Sequence, residues 1–258
     1  MSAEPALQGL GVVITRPRAA AEALAESLAR HGARAFVFPA LAIEAVGDSP
    51  ALDTALAALP GCDLAIFVSA NAVERGVALV KRRGGWPAGP RVAAIGEATA
   101  EALRNSGFTR VISPRERHDS EALLAQDELK AVEGRNILIF RGTGGRELLK
   151  EALEARGARV TYVECYRRVR PAGDAAPLVG AWTRGEIQAV SVLSAETLEN
   201  FVEMIGAEGA THLASTTLVV PHATVASHPL ARRFAGVLVA PPGAEGIPRA
   251  LAGLRVRT

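Results

Sequence analysis

Cysteine, tryptophan, tyrosine and methionine each occur only twice in 258 residues, and aromatic side chains make up 4% of the chain. Cys62 and Cys165 fit no metal-ligand spacing, and two thiols do not build a disulfide framework, so both are read as reduced. With so few rings, the core must be filled by Ala, Val, Leu and Ile, and the 49% hydrophobic content is enough to do so. A formal net charge of +2 is too mild to argue for a nucleic-acid binder, which needs a concentrated basic stripe. No apolar run reaches membrane-spanning length. The opening MSAEPALQGLG has no basic stretch leading into an apolar one. A soluble, cytoplasmic protein is expected. There is no Ser/His/Asp grouping, no G-x-S-x-G elbow and no cluster of metal-ligating side chains, so neither metal nor cofactor is expected. The positive charge that is present is nearly all arginine, which favours planar two-point contacts to carboxylate or phosphate.

Short β-branched apolar runs alternate with Ala/Leu/Glu/Arg-rich helical runs along the whole chain. Strands are predicted at 10–15, 34–38, 64–68, 91–95, 110–112, 136–140, 159–164, 188–193, 217–221 and 236–240. Each is apolar at nearly every residue, the pattern of parallel strands covered by helices on both faces. The stretch AEALAESLARHG (21–32) reads as a helix that stops at Gly32. The fold class is α/β.

An internal repeat is visible. LARHGAR (28–34) resembles LEARGAR (153–159), an offset of 125 residues. The same offset carries Ile14-Thr15-Arg16 to Ile139-Phe140-Arg141, Phe67-Val68-Ser69 to Val192-Leu193-Ser194, and Ala98-Thr99 to Ala223-Thr224. Two similar units of about five strands each are expected. PALAIEAV (39–46) and ECYRRVRP (164–171) sit at equivalent places. Both are extended, and either loops or strands crossing between domains would fit them.

Ligands of open α/β sheets sit beyond the carboxyl ends of the strands, where helix N-termini present free N–H groups. The residues that follow the strands are therefore the candidates. They are Arg16, Ser69, Asn71, Gly96 and Thr99 in the first half, and Arg141, Gly142, Gly144, Arg146, Ser194, Thr197, His222 and Thr224 in the second. Ser69, Ser194 and Thr224 also suit plain helix caps. Arg16 and Arg141 each end an apolar strand, where an unpaired charge is costly. The stretch ILIFRGTGGRE (137–147) lacks the Lys-Ser/Thr of a phosphate-binding P-loop. It also lacks the third small residue of G-x-G-x-x-G, because Leu148 and Leu149 stand there. A nucleotide is thus disfavoured, and arginine beside free N–H groups suits a carboxylate. Of the tyrosines, Tyr162 lies in a predicted buried strand and reads as core. Tyr166 stands beside Arg167 and Arg168, where a phenol can donate a proton.

Taken in order, several stretches resemble the uroporphyrinogen-III synthase family. They are Thr15-Arg16-Pro17, FVSANAV (67–73), AIGEATAEAL (94–103), Arg141 to Leu148, Tyr166-Arg167-Arg168 and VLSAETLENF (192–201). The family often carries Thr where Val68 stands. The resemblance implies two similar α/β domains joined by two extended linker strands. The first domain would be 1–37 with 168–258 and the second 41–164, with linkers near 38–41 and 164–168. It implies a cyclising lyase of tetrapyrrole biosynthesis that acts as a monomer without cofactor or metal. The substrate is hydroxymethylbilane, a linear tetrapyrrole with eight carboxylates, and a transient handover from the preceding deaminase is compatible with it. Loss of the terminal hydroxyl gives an azafulvene, which closes through a spiro intermediate with the last ring inverted. Uncatalysed closure leaves that ring uninverted, so positioning is the larger part of the task. Tyr166 matches the family's suspected acid, and the other candidates above would bind substrate. The residues alone leave a second reading open, a two-lobed cytoplasmic module that binds an anionic small molecule.

Overall fold

The computed structural model describes residues 6–114 and 119–254. The outermost parts of the expected first domain, 1–5 and 255–258, lie outside the described residues. The chain divides into two compact units, Met1–Ala42 with Val169–Thr258, and Ile43–Arg168. In chain order the strands are β1 (Gly11–Ile14), β2 (Arg34–Val37), β3 (Ala42–Ala45), β4 (Leu64–Phe67), β5 (Arg91–Ala94), β6 (Val111–Ile112), β7 (Asn136–Gly142), β8 (Arg159–Val169), β9 (Ala189–Ser191), β10 (Thr217–Val220) and β11 (Gly236–Val239).

The first unit holds a sheet ordered β11-β10-β9-β1-β2, parallel throughout. Its interior strand β1 is buried at every residue, as expected of a strand covered on both faces. Phe38, Trp182, Val190 and Phe201 pack on one side; Val12, Ile14, Leu24 and Leu28 pack on the other. Trp182 touches the ring of Phe201 and lies flat on His212, with centroids 5.8 Å apart. The helix predicted at 21–32 runs Arg18–Arg30. It stops where Gly32 turns to φ +86°, and the Ala33 N–H then reaches back to the Leu28 carbonyl at 3.0 Å. Gly157 at φ +83° ends the helix Leu148–Ala155 in the same manner.

The second unit holds a sheet ordered β3-β8-β7-β4-β5-β6, with β4 to β8 pairing in parallel. Phe67, Phe140 and Tyr166 belong to the core on one face; Ile66, Ile137 and Leu153 belong to the other. The Phe67 and Phe140 rings stack at 4.5 Å, and Trp86 lies 5.9 Å from each.

Five strands per sheet were expected, and the second sheet has six. The sixth is β3, drawn from the segment 39–46, and it lies beside β8. β8 itself continues to Val169, through the stretch expected to be a linker at 164–168. Without a neighbour, the outer edge of β8 would leave its backbone N–H and C=O groups unpaired. β3 covers that edge while Ile43 packs on the core.

Gly11 opens β1 at a point of contact between main chains. A Cβ there would stand 1.7 Å from the carbonyl oxygen of Glu186, and the Gly11 N–H is already held by the Gln188 side chain at 2.7 Å. Replacing Gly11 with Ala is expected to cost at least about 1–3 kcal/mol by forced movement of packed backbone. Urea unfolding checks this, and an unchanged midpoint would show that the approach is not tight.

Candidate functional site

The strand β7 is apolar and buried from Ile137 to Phe140. At Arg141 and Gly142 its register with β8 shifts, and Gly142 comes opposite Tyr166. Gly144 and Gly145 follow at φ +73° and +110°, turning the chain toward the helix Leu148–Ala155. Arg141 remains only 4% exposed. Its guanidinium donates to Glu147 Oε1 at 3.0 Å, to the Gly142 carbonyl at 3.2 Å and to the Gly144 carbonyl. It also lies 4.3 Å above the ring of Tyr162, whose hydroxyl donates to Glu147 Oε2 at 2.8 Å. Arg141 is therefore already supplied with a carboxylate from its own loop. Tyr162, read from sequence as a core residue, is a member of this polar group. Bonds from Tyr162 first and Arg141 second hold the Glu147 carboxyl below the ordinary range. Burial, and then the bond to Glu147, push the Tyr162 phenol up to about 12.

Beside this loop is a cavity of about 180 Å³, and Arg141, Gly142, Gly144, Arg146 and Tyr166 of the candidate residues line it. Arg168 joins them. Sequence reasoning noted it only as a neighbour of Tyr166; its place next to a strand-borne tyrosine was the available signal. Arg146 and Arg168 are exposed. Neither has an ion-pair partner among the described residues, whereas Arg167 is paired with Glu44. Tyr166 is 1% exposed. Its ring lies against Gly142, where a Cβ would come within 2.6 Å, so only glycine leaves the ring its place. The Tyr166 hydroxyl meets Ser69 Oγ at 3.1 Å. Ser69 also caps the helix Ala70–Arg82, accepting from the Ala72 N–H at 3.0 Å. Asn71, in the first turn of that helix, and Gly96 and Thr99, at the start of the helix Glu97–Asn105, follow β4 and β5. They are not part of the cavity wall.

The first unit has its own cavity, of about 300 Å³, at the carboxyl ends of its strands; Arg16 and His222 line it. The Arg16 Nε is buried without a hydrogen-bond partner, and burial holds this guanidinium below its ordinary value. Ser194 and Thr197 act on each other instead: Ser194 Oγ caps the helix Ala195–Met204, accepting from the Thr197 N–H at 3.2 Å and meeting Thr197 Oγ1 at 2.9 Å. Thr224 is exposed and lies outside the cavity wall. Among the described residues, no group of three or more His, Cys, Asp or Glu could hold a metal ion, and no helix is long and apolar enough to cross a membrane.

These features define an α/β protein of two parallel-sheet units, each with an arginine-bearing cavity at the carboxyl ends of its strands. A family model described as HEM4, uroporphyrinogen-III synthase HemD, matches residues 22–243. The chain belongs to the uroporphyrinogen-III synthase family. It is 41% identical over 192 residues to the uroporphyrinogen-III synthase of Salmonella typhimurium, covering 74% of this chain and 78% of that one. It is 36% identical over 197 residues to the enzyme of that name from Escherichia coli, covering 76% and 80%. Its fold is shared with a crystal structure of a mutant uroporphyrinogen III synthase from the extremely thermophilic bacterium Thermus thermophilus, with a TM-score of 0.60 at 24% identity over 94% of this chain and 98% of that one.

Two outcomes follow from the unequal surroundings of the arginines. Arg141→Ala is expected to cost about 2–4 kcal/mol in urea unfolding, because it removes a buried side chain with its packing and its bonds to the Gly142 and Gly144 carbonyls. Arg16→Ala is expected to stay within about 0.5 kcal/mol of the unaltered protein; equal losses would show that both arginines are structural. The raised phenol sets an alkaline limit as well. A proton held more tightly in the folded chain stabilises it fully below the ordinary phenol pKa of about 10, and that stabilisation is lost as pH rises through about 12. In Tyr166→Phe, where Tyr162 is the one phenol left, absorbance titration should place ionisation near pH 12. Ionisation near pH 10 would mean that the phenol is neither buried nor bonded to Glu147.

Proposed function

We propose that the chain catalyses the reaction of its family, cyclising hydroxymethylbilane to uroporphyrinogen III with loss of water and inversion of the last pyrrole ring. It would act as a cofactor-free lyase of tetrapyrrole biosynthesis, monomeric and cytoplasmic, taking its substrate by brief handover from the preceding deaminase. The observation that carries this reading is the family match along residues 22–243. The site is consistent with it. A substrate with eight carboxylates calls for cations that are not already neutralised, and Arg146 and Arg168 are such cations beside Tyr166. Arg141 has the supporting role of shaping the loop that presents them. Arg16 is the corresponding cation of the first unit.

In this reading the Tyr166 hydroxyl gives its proton to the departing hydroxide as the terminal C–O bond breaks, and water leaves. Ser69 Oγ, 3.1 Å away, then donates to the phenolate. The azafulvene so formed is attacked by the substituted carbon of the last ring. The spiro intermediate opens and recloses with that ring inverted, and the final ring proton returns to the phenolate. Because the uninverted closure needs no enzyme, holding the chain with the substituted carbon nearer is the main contribution.

The chain is also read as two copies of one unit joined by two extended strands. The strand orders support this. The 125-residue offset turns β6-β5-β4-β7-β8 into β11-β10-β9-β1-β2, which is the order of the first sheet.

A coupled assay tests the activity. Hydroxymethylbilane is generated in place, the products are oxidised, and isomers I and III are separated. Isomer III in excess is expected; isomer I alone from folded protein would leave a ligand-binding module. Tyr166→Phe is expected to lower turnover by about 10²-fold or more. Loss of its single hydrogen bond should cost only about 1 kcal/mol of stability. Near-normal turnover would remove Tyr166 from the role of acid.

A further inference from the structure

Successive side chains of a strand point to opposite faces, so residues two apart share a face. β8 keeps this rule as far as Cys165. Val160 and Tyr162 pack with one core of the second unit, and Val163 and Cys165 with the other. Counted in twos from Tyr162, Tyr166 belongs on the Tyr162 side. It lies instead in the core of Val163 and Cys165, against Gly142 and bonded to Ser69. The strand pairing gives the cause. Arg141 of β7 stands opposite Glu164 and Gly142 stands opposite Tyr166, so β8 carries one extra residue, Cys165, at this point. A bulge of this kind re-aims the side chain beside it.

Contacts on both sides hold the bulge. Cys165 is 1% exposed. Its thiol donates to the Arg141 carbonyl, with sulfur and oxygen 3.3 Å apart, and the sulfur lies 3.7 Å from the Ala72 carbonyl. Ala72 belongs to the helix Ala70–Arg82, and its N–H is the one that Ser69 Oγ accepts. One thiol thus touches both the strand that carries Gly142 and the helix whose cap meets the Tyr166 hydroxyl. On the other side Thr143 donates its N–H to the Tyr166 carbonyl at 2.8 Å, and its hydroxyl donates to the same carbonyl at 3.4 Å. Burial pushes the Cys165 thiol up to about 12, so it stays protonated as a donor and is no nucleophile at neutral pH.

We propose that the bulge at Cys165 positions Tyr166 for the reaction, and that Cys165 is a positioning residue that acts through its thiol. The proposal rests on the reading of Tyr166 as the acid and adds what keeps its hydroxyl on Ser69. Being buried, Cys165 does this without touching substrate.

The test compares, in the full chain, Cys165→Ala, which removes the donor, with Cys165→Ser, which keeps one. In the coupled assay Cys165→Ala is expected to lower kcat about tenfold or more, with KM changed less than about threefold. Cys165→Ser is expected to keep kcat within about threefold of the unaltered chain. Cys165→Val, also without a donor, is expected to behave as the alanine variant does. A second readout needs no substrate. With tyrosine labelled with carbon-13 at Cζ, the two tyrosines give two resonances, and Tyr166→Phe identifies the one that is lost. Cys165→Ala is expected to move that resonance in the direction in which Ser69→Ala moves it, and Cys165→Ser to leave it in place. Urea midpoints establish that each variant is folded. An unaltered kcat and resonance in Cys165→Ala would overturn the proposal, as would equal losses in the alanine and serine variants, or a lowered urea midpoint with kcat unchanged. Near-normal turnover in Tyr166→Phe, with the resonance still moved by Cys165→Ala, would remove the acid and keep the bulge as the holder of the phenol.

Discussion

A strand buried on both faces has room for polar chemistry only at its ends, and this constraint governs both units. β1 is buried from Gly11 to Ile14 and β7 from Ile137 to Phe140, so the first residues able to carry charge are Arg16 and Arg141. The helices that cover the sheets begin at that same edge, with Ser69, Gly96 and Ser194 at their N-caps. Packing thus concentrates cations, hydroxyls and free N–H groups where a ligand can reach them. No separate device is needed to gather the site.

The two arginines that end β1 and β7 meet the same constraint in different ways. After Arg141 the chain passes through two glycines in the left-handed region and brings Glu147 back onto the guanidinium. After Arg16 it goes directly through Pro17 into a helix, with no acidic residue in its first turn. One arginine is consumed in building a wall; the other has no ion-pair partner among the described residues. The difference lies in a few residues of loop sequence, although the strands before them are alike.

Much of this was legible in the sequence, and what was not has a physical cause. Continuous apolar runs located ten of the strands, and Gly32 marked the end of its helix, because both signals are local. The segment 39–46 stays open in sequence between a loop and a crossing strand, since β3 exists to satisfy the edge of β8, which is distant in sequence. The loop ILIFRGTGGRE was recognisable as a place for an anion, but sequence could not say that Glu147 supplies one. The same limit applied to Tyr162, whose ring is apolar by pattern while its hydroxyl is committed to Glu147. Tyr166 and Ser69 were separate candidates, and their 3.1 Å contact joins residues 97 positions apart.

The scarcity of aromatic residues has an optical consequence. The two tryptophans are divided between the units: Trp182 is buried among Phe201 and His212 in the first, and Trp86 sits against Phe67, Phe108 and Phe140 in the second. With one indole apiece, each sheet has its own fluorophore. The emission of a protein with either one replaced by phenylalanine would follow a single unit, and the order in which the two halves come apart could be read as colour.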